Sequence, residues 1–289
     1  MRYRALSTKA LATGTVAIGM ILLYAGSSAA AGQIHERIYP APKTPITTAL
    51  LTPGAQRVTV RTSDGLAITG AEIAPVPGRP TLLVFHGNAS SALTTLAWFA
   101  PLVAQGYGVV AAEYRGYSAN PGRADEPGLG RDADAFYAEA RRLAGSGRVL
   151  VVGHSLGGGV AFGLATRHTL DALVTIGTFT GLRAMAPKIA RAFISDRYDN
   201  LAAVATLDEP FFLIHGLADE TVPAAMGEQI HKAAHAARRS GFSAVIRGAG
   251  HQPDAATIAP ILERIVARLD PLSPPPTPLP DTVRVIPFD

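Results

Sequence analysis

Serine 155 stands in Arg148-Val149-Leu150-Val151-Val152-Gly153-His154-Ser155-Leu156-Gly157-Gly158-Gly159. A β-branched run ends there in Gly-x-Ser-x-Gly and passes into a helix-compatible segment. In that context the motif describes a sharp strand-to-helix turn that pushes a serine hydroxyl out of a sheet, beside a backbone N–H. Gly153 and Gly157 have no Cβ to crowd so tight a turn. A serine hydroxyl is a poor nucleophile at neutral pH. It needs a base to take its proton and a carboxylate to orient that base. On a parallel sheet these partners come from loops at the C-terminal strand ends, in the order Ser, Asp or Glu, His. Asp219, in His215-Gly216-Leu217-Ala218-Asp219-Glu220, and His251, in Gly248-Ala249-Gly250-His251-Gln252, each lie a few residues past an apolar run. Glu220 is the rival of Asp219. No other histidine follows the final apolar run.

The developing negative charge of an attacked carbonyl needs two N–H donors. Leu156, directly after the serine, supplies one. The other is expected from His86-Gly87-Asn88-Ala89, with Asn88 preferred and Ala89 as the alternative. The remaining histidines are read as structural. His86 and His215 end apolar runs before Gly, His154 occupies the variable position of the serine motif, and His231 with His235 is read as a solvated helix face. No third ligand accompanies that pair, so no metal is expected. No cofactor is expected either, because Gly157-Gly158-Gly159 lacks the Gly-x-Gly-x-x-Gly spacing of a dinucleotide site.

The elements that must position these groups alternate along the chain. Arg57–Arg61 and Leu66–Ile73 read as strands joined by a Ser63-Asp64-Gly65 turn. Further strands are expected at Thr81–Phe85, Gly108–Tyr114, Arg148–Val152, Asp171–Thr178, Pro210–His215 and Phe242–Arg247. Helices are expected at Ser91–Gln105, Leu129–Leu143, after Ser155, at Pro223–Ala237 and at Asp254–Leu269, with Pro260 near the first turn of the last. This pattern implies an α/β fold: a mostly parallel twisted sheet with helices on both faces and an antiparallel N-terminal edge. Thr180–Glu209 is too short for a large lid domain, but its Leu182, Met185, Ile189, Phe193 and Ile194 would suit an acyl pocket.

Four parts divide the 289 residues: a signal or anchor segment (1–31), an extended lead-in (32–56), a catalytic domain (57–270) and a Pro-rich tail (271–289), read as disordered. The first part carries Arg2, Arg4 and Lys9, then an uncharged, mostly apolar run from Ala10 to Gly26. It suits either a cleaved signal or one spanning helix, and both put the catalytic domain outside the cytoplasm. Removing those three cations from the 26 Lys and Arg leaves 23 against 22 acidic residues. The domain itself is near neutral, without a basic run, and nucleic acid is excluded as a partner. The chain has no cysteine, which rules out thiolate chemistry and disulfides.

Taken together, these residues resemble the α/β-hydrolase superfamily, and within it the single-pass, membrane-tethered serine hydrolases that include the eukaryotic protein depalmitoylases. The resemblance runs from about residue 33 to 269. It is carried by His86-Gly87-Asn88-Ala89, Glu113-Tyr114-Arg115-Gly116-Tyr117-Ser118, the Ser155 motif, Phe179-Thr180-Gly181-Leu182, Arg197-Tyr198-Asp199-Asn200-Leu201, the Asp219 and His251 loops, and Gln33-Ile34-His35-Glu36-Arg37-Ile38-Tyr39-Pro40. It implies a Ser155–His251–Asp219 triad with Asn88 and Leu156 as oxyanion donors, a retained anchor, and a small acyl ester or lipid-like substrate. Glu113 stands where an Asp is usual, and Gly177-Thr178 where a Ser-containing pair is common. The Cys-rich N-terminus of the depalmitoylases is missing, so their specific role is not implied. Peptide hydrolysis, perhydrolysis at the same site and a non-catalytic tethered module are the competing functions.

Overall fold

The computed structural model describes residues 32–288. The expected signal or anchor lies outside those residues. Among them, no helix is long and apolar enough to cross a membrane. The described chain opens with a helix over residues 32–38 (α1) and a short 3-10 turn at Thr48–Leu50. The antiparallel pair β1 (Gln56–Arg61) and β2 (Ala67–Ile73) follows, then β3 (Thr81–Phe85), α2 (Ala92–Trp98), α3 (Ala100–Ala104), β4 (Gly108–Ala111) and α4 (Glu126–Ala144). Next come β5 (Val149–His154), α5 (Leu156–Ala165), β6 (Ala172–Ile176), 3-10 turns at Leu182–Met185 and Lys188–Phe193, and α6 (Asn200–Val204). The chain closes with β7 (Phe211–Gly216), α7 (Ala224–Ala236), β8 (Gly241–Ile246), α8 (Ala255–Leu269) and β9 (Val283–Pro287).

The strands form one sheet in the order β1-β2-β4-β3-β5-β6-β7-β8-β9. The run from β4 to β8 is parallel, and β1, β2 and β9 are antiparallel to their neighbours. Successive strand residues point to opposite faces. Leu83 and Phe85 therefore join one apolar cluster with α4, α5 and α7, while Leu82 and Val84 join a second with α2, α3 and α8. Both faces are dry, which is why the central strands read as unbroken apolar runs.

Several expectations are corrected. The helix expected over Ser91–Gln105 breaks at Phe99 into α2 and α3. Pro101 has no N–H and its ring crowds the carbonyl four residues back. Pro260 falls in the second turn of α8 rather than the first, so one intrahelical hydrogen bond is missing there. The lead-in is not wholly extended, since residues 32–38 are helical. The tail is not a solvated extension. Val283–Pro287 pairs with β8 from Phe242↔Pro287 to Ile246↔Val283, and Phe288 is fully buried.

Candidate active site

Ser155 sits between β5 and α5 at φ +52, a conformation non-glycine residues seldom adopt. Its N–H donates to the Ile176 carbonyl at 2.9 Å, and its own carbonyl accepts from Gly158 N at 2.9 Å and Thr178 Oγ1 at 3.0 Å. Three hydrogen bonds, from the end of β6, the segment just beyond it and α5, thus hold the strained turn. A Cβ on Gly157 would collide with the backbone carbonyls of Phe85 and His86, so α5 approaches β3 only because that position is bare.

Asp219 and His251 meet as the sequence requires. His251 Nδ1 donates to Asp219 Oδ2 at 2.9 Å. The other oxygen, Oδ1, accepts from Thr221 N at 2.9 Å and Val222 N at 2.8 Å. The Asp219 side chain is fully buried, and these bonds fix its plane. Glu220, its rival, is exposed. Gly177, at the end of β6 with φ +55, packs against the pair. A Cβ there would lie 3.0 Å from the His251 carbonyl and 3.3 Å from Asp219 Oδ2. Ser155 faces an apolar cavity of about 320 Å³ together with Asn88 and Leu156. Among the described residues, Ser155 Oγ makes no hydrogen bond to His251, and His251 does not line that cavity. Such contacts commonly tighten only when substrate is bound.

Leu156 is the first residue of α5, so its N–H has no partner within the helix. Asn88 lies in the loop after β3. That loop is fastened by Glu113, which is fully buried at the end of β4. His86 Nε2 lies 2.6 Å from Glu113 Oε1, and Tyr114 N donates to the same oxygen at 3.1 Å. Glu113 Oε2 accepts from Ser118 Oγ at 2.7 Å and from Ala92 N, at the start of α2, at 3.1 Å. The Tyr114 hydroxyl donates to the His86 carbonyl at 2.8 Å.

Two histidines read only as structural contact the candidate triad. His154 Nε2 donates to the His251 carbonyl at 3.0 Å, and the two rings are 4.8 Å apart. Burial, with the neighbouring His251, pulls His154 down to about 4. His215 Nε2 donates to the Val222 carbonyl at 3.0 Å and lies 3.4 Å from Asp219 Oδ2. Burial lowers its pKa as well. No sequence signal separates them from ordinary turn histidines; only their place beside the Ser and Asp loops hints at the contact. His231 and His235 bear out the expected face only in part. The helix face is solvated at His235 and half-buried at His231, but each ring has a partner, Ser243 Oγ for His231 and the Phe288 carbonyl for His235.

The cavity also departs from expectation. Leu182, Met185 and Ile194 line it as read, but Ile189 and Phe193 point to solvent. In their place Ile34, Arg37 and Ile38 of α1 form a wall. Tyr39, next in the chain, donates to Asp196 Oδ2 at 2.5 Å and ties α1 to the segment that carries Ile194.

Comparison with known proteins agrees with this fold. The family described as Serine aminopeptidase, S33 matches residues 77–202. An uncharacterized protein of Mycobacterium tuberculosis (strain ATCC 25618 / H37Rv) is 32% identical over 208 residues, covering 69% of this chain and 73% of its own length. The alpha/beta hydrolase domain-containing protein 17B of Xenopus laevis is 26% identical over 210 residues, covering 71% and 72%. The crystal structure of an alpha-beta hydrolase from Vibrio vulnificus superposes with a TM-score of 0.64 at 18% identity, over 74% of this chain and 81% of that one. The sheet order, the turn after β5 and these matches together make the chain a member of the α/β-hydrolase superfamily, and a hydrolase.

Proposed function

We propose that this hydrolase cleaves carboxylic ester or thioester bonds of acyl substrates through an acyl-enzyme on Ser155. The observation that carries this reading is the Asp219–His251 hydrogen bond of 2.9 Å at the rim where Ser155 is held at φ +52. With Nδ1 engaged by Asp219, His251 keeps the lone pair of Nε2 as a base. Ser155 Oγ attacks the carbonyl carbon as Nε2 takes its proton. The tetrahedral oxyanion is met by the Leu156 and Asn88 N–H groups. His251 then returns the proton to the departing alcohol or thiol. Water, activated by the same ring, frees the acid.

The cavity favours acyl substrates over peptides. Among the described residues, Arg37 is the one charged residue lining it, and no lining carboxylate could hold a peptide's terminal amine. The walls, from Ile34 and Ile38 through Phe179, Leu182 and Met185 to Val222, suit a hydrocarbon chain. The reading also includes a tether. Arg2, Arg4 and Lys9 before an apolar run support an anchored enzyme with its catalytic domain outside the cytoplasm, like the membrane-tethered branch it resembles.

Fluorophosphonate labelling of membrane and soluble fractions, followed by ester, thioester and peptide panels, tests all of this. Labelling in the membrane fraction and turnover of acyl esters are expected. Ser155→Ala is expected to abolish labelling and to lower turnover by up to about a million-fold. Retained turnover in that variant refutes the nucleophile, and activity confined to peptides refutes the substrate class.

A further inference from the structure

The 3-10 turn Lys188–Phe193 has two sides. Ala190, with Ile194 just beyond it, lines the cavity over Ser155. Ile189 and Phe193 face away from it and are 85% and 44% exposed. An isolated exposed apolar side chain is ordinary; two of them four residues apart, interleaved with cations, form a patterned surface. Lys188 and Arg191 are both exposed, and residues 182–194 contain Arg183, Lys188 and Arg191 with no acidic residue. The next acid, Asp196, is buried against Tyr39 and adds no charge to this face. Arg183 holds the segment in shape by donating to the Ile194 carbonyl at 2.9 and 2.7 Å. Arg37, exposed on α1, adds a further cation at the cavity wall.

The described chain begins in α1, the helix that walls the same cavity. The 31 residues before it include the uncharged run Ala10 to Gly26. The apolar N-terminal segment therefore joins the domain on the side of the cavity. We propose that the face carrying Ile189 and Phe193, with Lys188 and Arg191 around them, seats on an anionic lipid surface, so that the cavity over Ser155 receives acyl chains from the bilayer. Delivery of a substrate rests on the acyl-hydrolase reading; the docking does not. Acyl chains take up the exposed apolar pair, and lipid phosphates neutralise the cations between them. A second copy fits poorly, because a two-fold contact through this face would set Lys188 and Arg191 against themselves.

The chain has no cysteine, so one can be placed and labelled without interference. Full-length Ile189→Cys carrying a nitrobenzoxadiazole fluorophore is mixed with vesicles of phosphatidylcholine, alone or with phosphatidylglycerol, and detergent is removed. Blue-shifted emission, quenched by brominated acyl chains, is expected with the anionic vesicles. In parallel, Lys188→Glu/Arg191→Glu is expected to match the wild type on a soluble short-chain ester. On a long-chain ester embedded in the anionic vesicles it is expected to be about tenfold slower. Emission that stays water-like on anionic vesicles, shifts equally on neutral ones, or shifts with protein concentration alone overturns the docking. So does an unchanged rate of the double variant on embedded ester. A shifted probe on Ile189→Cys, together with a wild-type enzyme that turns over neither ester, leaves the docking standing and sinks the hydrolase reading instead.

Discussion

His154 fills the position of the serine motif at which the turn makes no chemical demand, yet it braces the candidate base. Its Nε2–H holds the His251 carbonyl, and its ring packs between those of His251 and Trp98. Trp98 Nε1 in turn donates to the Pro253 carbonyl at 3.0 Å, so the His251 loop is fastened at two points. Because burial holds the ring at about 4 against an ordinary 6.5, the native state keeps it neutral where the unfolded chain already takes up a proton. Stability from this group is present above pH 6.5 and falls as the pH drops toward 4, by about 3 kcal/mol over that span. His215, lowered in the same direction, adds to the slope. His154→Gln, whose amide can still donate to the carbonyl, is expected to flatten the decline. Urea unfolding at several pH values between 4 and 7 measures it, and an unchanged slope would refute the assignment. Ring identity is legible in the sequence at this position, but the contact is not, because it joins residues 97 apart.

At the scale of elements, the loop after β3 is held in place by the end of β4. Glu113 collects His86, Tyr114 N, Ser118 Oγ and the first N–H of α2, so one carboxylate sets where Asn88 lies relative to Ser155. Glu113→Gln removes an acceptor and presents a donor to Ala92 N or Ser118 Oγ. Asn88 should then drift from its place opposite Leu156. An oxyanion donor acts only as charge develops, so kcat is expected to fall about ten- to a hundredfold with KM little changed. Steady-state kinetics on a soluble ester separate the two constants; a rise in KM alone would make Glu113 a binding residue instead. The elements themselves were read from apolar runs, and β3 matches residue for residue. The misses have local causes. The helix expected from Leu129 begins earlier, at Glu126: Asp125 caps that turn by accepting from Gly128 N at 2.7 Å, and a proline in the first turn costs no hydrogen bond. The α1 wall had no signal of its own. A short polar-apolar stretch becomes a cavity wall only through the Tyr39–Asp196 bond to a segment 157 residues away.

For the molecule as a whole, the C-terminus closes the sheet. Without β9, β8 would present an open row of backbone donors and acceptors at the edge that also carries the His251 loop. Proline is tolerated at Pro287 because the outer side of an edge strand has no partner to lose. Beyond the strand, the Phe288 ring stacks on Phe211 at 5.4 Å, and its carbonyl is held by His235 of α7. The tail's proline content concealed this: Val283, Val285 and Ile286 are only partly buried, and the anchoring aromatic comes one residue from the end. Phe288→Ala should leave a cavity between β7 and α7 costing about 3 to 5 kcal/mol. β9 lies four strand spacings from β5, about 19 Å, so the folded fraction should keep its turnover within about twofold. Urea denaturation and ester kinetics on the same preparation test both halves. An unchanged midpoint would show that the ring is not part of the core. A large loss of turnover at full folding would mean that β9 governs the His251 loop through β8, where Arg247 N donates to the Thr282 carbonyl at 2.9 Å.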